Sequence, residues 1–168
     1  MSVDPGRLEA MSAPLAVGDR ATDFTLVDHL GAEVSLAGVL ERANVVVIFV
    51  PFAFSGICTG ELRAVRDGLE DFQHDGIQVL AISCDPMFAL RAWADAEGYF
   101  FPLLSDFWPH GQVAQQFGVF NAEKGFAQRG TFLIDREGIV RWTEVNPTGL
   151  ARDFSDYRAA LAQVRREG

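Results

Sequence analysis

The sequence predicts an α/β fold, a sandwich in which a mixed central sheet is flanked by helices and preceded by an N-terminal β-hairpin extension. Three observations carry that prediction. Val45, Val46, Val47, Ile48, Phe49 and Val50 form an unbroken β-branched and aromatic run, the pattern of a strand buried on both faces. Val79 to Ser83 repeats the pattern between Gly76 and Pro86. Leu62, Val65, Leu69 and Phe72 lie between the two at helical spacing, so a crossover helix joins the strands and makes them parallel.

Taken from the N-terminus, Met1 to Ala16 mixes charges and prolines without an apolar core of signal-peptide length, and is expected to be a flexible leader. A single domain is expected over residues 17–168, since no repeat, low-complexity tract or composition shift divides them. Phe24 to Leu26 with Glu33 to Ser35 suit a small hairpin, and Val45 to Val50 a central strand. Helices are expected over Thr59 to Phe72 and over Met87 to Ala96, the latter carrying Leu90, Trp93 and Ala94. Asp106 to Phe117 and Asp153 to Val164 are further helical stretches. Phe132 to Ile134 and Ile139 to Trp142 flank Asp135, Arg136, Glu137 and Gly138, a hairpin turn signal that adds antiparallel strands. The order amounts to the thioredoxin architecture with an N-terminal addition.

Composition narrows the function classes. At 168 residues and 49% hydrophobic, the chain can close one sizeable core. Fourteen basic residues against twenty-three acidic ones leave a net charge of −9, and the longest basic block is the pair Arg165 and Arg166. Nucleic acid and anionic membrane are therefore not expected as partners. No apolar run approaches the roughly 20 residues that span a bilayer, and a cytoplasmic location is the default expectation. Two cysteines make no disulfide framework, so cysteine chemistry is either catalytic or absent. His29, His74 and His110 have no companions at metal-ligand spacing, and no glycine-rich phosphate loop occurs. No metal and no cofactor are expected.

The informative segment runs from Pro51 to Leu62, between the buried strand and the first long helix. Open α/β sheets place active sites at this carboxyl end of a strand. Cys58 falls in the first turn of the helix, where unpaired backbone N–H groups and the positive end of the helix dipole stabilise a thiolate, the nucleophilic form. A cysteine can instead be a small buried hydrophobe, but three neighbours favour chemistry here. Pro51 has no N–H and directs the chain leaving the strand, Ser55 supplies a hydroxyl three residues before Cys58, and Glu61 follows three after. Each has a structural alternative: Ser55 suits a helix cap, and Glu61 suits the first turn of any helix. Phe52 and Phe54 flank the nucleophile and would make an apolar mouth, although most of the fourteen Phe are core residues.

Proline, three residues, Ser or Thr, two residues, cysteine resembles the active-site motif of the peroxiredoxins, with Pro51, Ser55 and Cys58 at its three positions. Arg129, in Gln128, Arg129, Gly130, Thr131, Phe132, looks like the arginine that this family carries far along the chain. The stretch Phe101 to Gly111, with Phe117 to Phe120 after it, is similar to the alkyl hydroperoxide reductase E group of one-cysteine peroxiredoxins in actinobacteria. The resemblance spans about Val17 to Leu161. Two departures are visible: Ser55 stands where Thr is commoner, and Thr59 follows the cysteine where many relatives have Pro.

The resemblance implies a thiol-dependent peroxidase that reduces hydrogen peroxide and organic hydroperoxides, with peroxynitrite left open, through a cysteine sulfenic acid recycled by an external thiol. In that role Arg129 would stabilise the thiolate and the peroxide oxygens, as a permanently charged fork of N–H donors. Ser55 and the Cys58 backbone N–H would be further donors, Pro51 would shield the sulfur from water, and Glu61 would orient Arg129. The resemblance also implies a small-thiol or redoxin reductant and a homodimer. Two other readings compete. A thioredoxin-like disulfide reductase needs a second cysteine three residues after Cys58, where Glu61 stands. A redox-sensing binding module would be oxidised at Cys58 without turning over. Cys84, the other cysteine, is expected to be a bystander at the same sheet edge, although a resolving role is conceivable there.

Overall fold

The computed structural model describes residues 13–68, 76–147, 149, 150 and 159. The elements within them, in chain order, are β1 (Thr25–Asp28), β2 (Glu33–Ser35), α1 (Leu36–Leu40), β3 (Asn44–Phe49), α2 (Gly56–Asp67), β4 (Ile77–Ser83), α3 (Met87–Glu97), β5 (Leu103–Ser105), α4 (Gln112–Gln116), β6 (Phe120–Asn121), β7 (Phe126–Ala127), β8 (Arg129–Ile134) and β9 (Val140–Asn146). Seven strands form one sheet in the order β2-β1-β5-β4-β3-β8-β9, and β6 pairs with β7 apart from it.

The valine-rich run becomes the centre of the sheet because both its faces are covered. Val46 and Ile48 pack with Leu62, Val65, Leu90 and Trp93 beneath α2 and α3. Val45, Val47 and Phe49 pack on the other face with Leu36, Val39, Val113 and Phe117, from α1, α4 and the residue after it. Such side chains contribute about 1.5–3 kcal/mol each when fully buried. β3 runs parallel to β4, and β4 parallel to β5, with α2 and α3 as the crossovers. The hairpin β8–β9 joins antiparallel to β3, as its turn signal indicates, with a register irregularity between Leu133 and Ile134. The predicted N-terminal hairpin is β1–β2, and β1 lies antiparallel to β5 at the far side.

Some boundaries differ from the sequence expectation. α2 starts at Gly56, three residues ahead of Thr59, because Ser55 is its N-cap. It is described to Asp67, and Leu69 and Phe72 lie outside the described residues. The helix expected over Asp106 to Phe117 shrinks to α4: Gly111 turns the chain at φ 73°, and the Asp106 carboxylate accepts from Val113 N–H at 3.1 Å and Ala114 N–H at 2.9 Å. Asp106 therefore caps this helix from a distance and is not its first turn. β5, only three residues long, has too little length for an alternation to be read. Of the leader, residues 13–16 lie within the described part, and there Leu15 N–H donates to the Phe117 carbonyl at 3.1 Å, laying its end against the body. The stretch Asp153 to Val164 falls outside the described residues except for position 159.

Candidate active site

Cys58 is the third residue of α2 and is fully buried, 0% exposed. The helix begins here because Ser55 adopts an extended backbone and its Oγ accepts from Cys58 N–H at 3.4 Å, while Thr59 N–H donates to the Ser55 carbonyl at 2.8 Å. The capping alternative for Ser55 is thus what the geometry shows, and it leaves the hydroxyl proton available, since a hydroxyl accepts and donates at once.

Glu61 lies one turn after Cys58 on α2, and its Oε1 accepts from a terminal nitrogen of Arg129 in an ion pair whose side chains are each 2% exposed. Strand parity brings Arg129 there. It opens β8, where Leu133 packs on the α2 side of the sheet and Phe132 and Ile134 on the other. Alternation then puts Arg129, Thr131 and Leu133 on the face that carries Cys58. Gly130 lets β8 pass close to its neighbour, since a Cβ there would meet Val119 Cγ1 at 2.9 Å.

The loop between β3 and α2 is held from the next strand. Asp85 Oδ2 accepts from Ala53 N–H at 2.8 Å and from Ser83 Oγ at 2.8 Å, and the Asp85 carbonyl accepts from Ser105 Oγ at 2.7 Å. Carboxyl ends of three parallel strands are thereby tied together. Within this loop Pro51 is buried and Phe54 takes a left-handed conformation at φ 66°, which for a residue other than glycine stores about 1–3 kcal/mol and needs restraint by its surroundings. Phe52 and Phe54 are 48% and 56% exposed, so both face outward. The Phe52 ring sits 4.9 Å from that of Phe126, and Phe54 6.3 Å from Trp93.

On the helix side, Thr59 receives two hydrogen bonds from the α3 region. Trp93 Nε1–H donates to Thr59 Oγ1 at 3.2 Å, and the Tyr99 hydroxyl donates to the Thr59 carbonyl at 3.0 Å. Burial, with a smaller contribution from the Glu97 charge, pushes the Tyr99 hydroxyl up to about 12, so it stays a donor across the neutral range.

Cys84 packs with Leu80, Ile82, Phe117 and Ala127, on the face opposite Cys58. Burial, then the charges of Asp106 and Asp85, push its thiol up to about 12. His29 is buried, with Nδ1 accepting from Leu103 N–H at 3.2 Å. His110 lies against the Phe107 and Gly125 carbonyls, and His74 is outside the described residues.

The structure brings Cys58, Ser55, Glu61 and Arg129 to one face, with Pro51, Phe52 and Phe54 in the loop that leads into α2. The sequence reading missed the roles of Asp85 and of the Trp93 and Tyr99 donors. Asp85 had a legible signal: a carboxylate between the end of a buried strand and Pro86 sits at the edge where Cys58 is expected. Trp93 reads simply as a helical core position, and its indole donor has no signature in spacing.

A family model described as the AhpC/TSA family matches residues 17–143. Alkyl hydroperoxide reductase E of Mycobacterium tuberculosis is 49% identical over 150 residues, which cover 89% of this chain and 98% of that protein. The selenocysteine-containing peroxiredoxin PrxU of Peptoclostridium acidaminophilum is 33% identical over 151 residues, covering 84% of this chain and 73% of that protein. Among solved structures, peroxidoxin BcpB from Mycobacterium tuberculosis superposes with a TM-score of 0.78 at 32% identity, over 90% of this chain and 97% of that one. Enterococcus faecalis AhpC gives 0.81 at 28% identity, over 89% and 92%.

Proposed function

The chain belongs to the AhpC/TSA family and is a peroxiredoxin, a thiol-dependent peroxidase, and from that premise we propose that Cys58 is its peroxide-attacking residue, with Arg129, Ser55 and Pro51 completing the site and Glu61 orienting Arg129. The observation that carries this reading is the buried Glu61–Arg129 pair one helical turn beyond a cysteine at the start of α2.

The Cys58 thiolate attacks one oxygen of the peroxide, a sulfur–oxygen bond forms as the O–O bond breaks, and the departing alkoxide or hydroxide takes up a proton to leave as alcohol or water. Cys58 is then a sulfenic acid. A first external thiol displaces water to give a mixed disulfide, and a second thiol releases Cys58 with formation of the reductant's own disulfide. Negative charge grows on oxygen in the first step, and the Arg129 guanidinium supplies fixed positive charge in a site without bulk water. Glu61 holds that guanidinium in one plane. Ser55 donates its hydroxyl proton toward the oxygens while its lone pair serves the helix. Phe52 and Phe54, exposed at the entrance, offer apolar contact that suits the alkyl part of an organic hydroperoxide.

A cytoplasmic homodimer completes the proposal. No helix among the described residues is long and apolar enough to cross a membrane. Phe52, Phe54, Phe88, Phe107 and Trp108 are exposed in segments that follow β3, β4 and β5, at the carboxyl edge of the parallel strands. That much exposed aromatic surface on one edge suits a second copy of the chain.

Mass spectrometry after one equivalent of peroxide tests the assignment. Wild type should gain one oxygen on the Cys58 peptide, and Cys58→Ser should fold but consume no peroxide. Retention of more than about a few per cent of the rate would remove Cys58 from the role. Sedimentation at micromolar concentration tests the dimer, and a monomer would refute it.

A further inference from the structure

With Cys58 at 0% exposure, its sulfur is closed to an external thiol, the bulkier of the two reactants when the oxidant is hydrogen peroxide. The sulfenic acid formed on Cys58 has to be approached along the line opposite its departing oxygen, so the first turn of α2 must move before the reductant reacts. Apart from the packing of Cys58 itself, little in that turn opposes movement: Ile57 is exposed, a Cβ at Gly56 or Gly60 would meet nothing, and the Ser55 cap is long at 3.4 Å. Among the described residues, side-chain hydrogen bonds that tie residues 55–60 to another element converge on Thr59 alone, from Trp93 Nε1 and the Tyr99 hydroxyl. Their donors are themselves fixed, since the Trp93 and Tyr99 rings meet edge to face at 5.3 Å and Tyr99 stacks on Phe101 at 5.4 Å.

We infer that Thr59 is a positioning residue: its two hydrogen bonds to Trp93 and Tyr99 hold Cys58 in the buried position where peroxide is reduced, and their release gives an external thiol access to the sulfenic acid. This rests on the assignment of Cys58 as the peroxide-attacking residue. Thr59 acts through the backbone it shares with Cys58 and touches neither substrate. The side-chain half of the latch depends on a hydroxyl at position 59, which proline lacks.

The latch works in opposite directions on the two half-reactions, a signature that general loss of packing does not produce. The test measures two second-order rate constants by stopped flow: oxidation of Cys58 by hydrogen peroxide, and reduction of its preformed sulfenic acid by the aromatic thiol thionitrobenzoate. Thr59→Val, nearly isosteric, and Tyr99→Phe should each raise the thiol constant about three- to tenfold, the weight of one net hydrogen bond, and lower the peroxide constant. Thr59→Ser, which keeps the hydroxyl, should stay near wild type in both. A thiol constant unchanged in Thr59→Val and Tyr99→Phe, or both constants falling together, overturns the latch. Absence of sulfenic acid in the wild-type protein would instead overturn the assignment of Cys58, and is read before any variant is compared.

Discussion

Cys58 and Cys84 face opposite sides of the seven-stranded sheet. Both lie beyond the carboxyl ends of the adjacent parallel strands β3 and β4, but Cys58 packs with Val46, Ile48 and Leu62, whereas Cys84 continues the alternation of Leu80 and Ile82 into the other core. Shared position along the edge therefore does not bring the sulfurs together. A disulfide needs Cβ atoms about 3.5–4.5 Å apart, and here the two side chains are buried in separate cores.

Cys84→Ser should keep full turnover with an added thiol, and peroxide-treated wild type should show no Cys58–Cys84 disulfide in a non-reducing peptide map. With its thiol near 12, Cys84 should also resist alkylation at pH 8 in the folded protein. An intramolecular disulfide together with lost turnover in the variant would make the enzyme a two-cysteine peroxidase.

Arg129→Lys should lose about 2–4 kcal/mol of transition-state stabilisation, because charge survives but the planar fork does not. Glu61→Ala leaves the guanidinium buried without its carboxylate and should cost about 3–5 kcal/mol of folding stability. Glu61→Gln, which keeps an acceptor, should cost less. Urea unfolding and the peroxide rate constant separate the two effects, and a wild-type rate in Arg129→Lys would take that residue out of the site.

Asp85→Ala removes the acceptor of both Ala53 N–H and the Ser83 hydroxyl. The loop carrying Phe54 at φ 66° then loses its restraint, with a stability loss of about 1–3 kcal/mol for the orphaned donors. The peroxide rate constant should fall about tenfold, and Asp85→Asn should fall between the two. An unchanged rate in Asp85→Ala would show that the loop holds its shape without the clamp.

Burial outweighs the two backbone donors from α4 and raises the Asp106 carboxyl to about 6, against an ordinary value of 3.8. The folded protein therefore holds this proton more tightly than the unfolded chain does. The associated stability is fully present below about pH 4 and is lost as pH rises through about 6, by on the order of 2–3 kcal/mol. Urea unfolding of wild type and Asp106→Asn across pH 4–7 should show that slope only in wild type. Parallel profiles would mean that the carboxylate is ionised in the fold throughout.

The elements that the sequence made legible are those whose signal is local. β3 is recognisable because every residue from Val45 to Val50 is apolar, which only a strand covered on both faces tolerates. The thioredoxin-like order of strands and helices follows from crossover and turn signals of the same short range. Pro51, Ser55 and Cys58 form a readable set because a strand end, a cap and a first helical turn fix their relative geometry within eight residues. Start points of helices were less legible, since α2 begins wherever its cap accepts a hydrogen bond and α4 is capped by a residue six positions before it.

By itself, then, the sequence determined the strands β3 and β4, the β8–β9 hairpin, the peroxiredoxin motif and the place of Cys58 at the head of a helix, all consequences of spacing along short segments. The sequence names Glu61 and Arg129 as partners, but the tertiary structure is what brings them together. Glu61 and Arg129 stand 68 residues apart, and their pairing depends on β8 aligning with β3 in a register that turns Arg129 to the α2 face. A slip of one residue would have sent it to the other core. The Asp85 clamp and the Trp93 and Tyr99 bonds to Thr59 likewise need neighbouring strands and helices to be docked first. The separation of Cys58 from Cys84 has the same origin, because the face a side chain takes is set by its parity along the strand and by the layers that close over it.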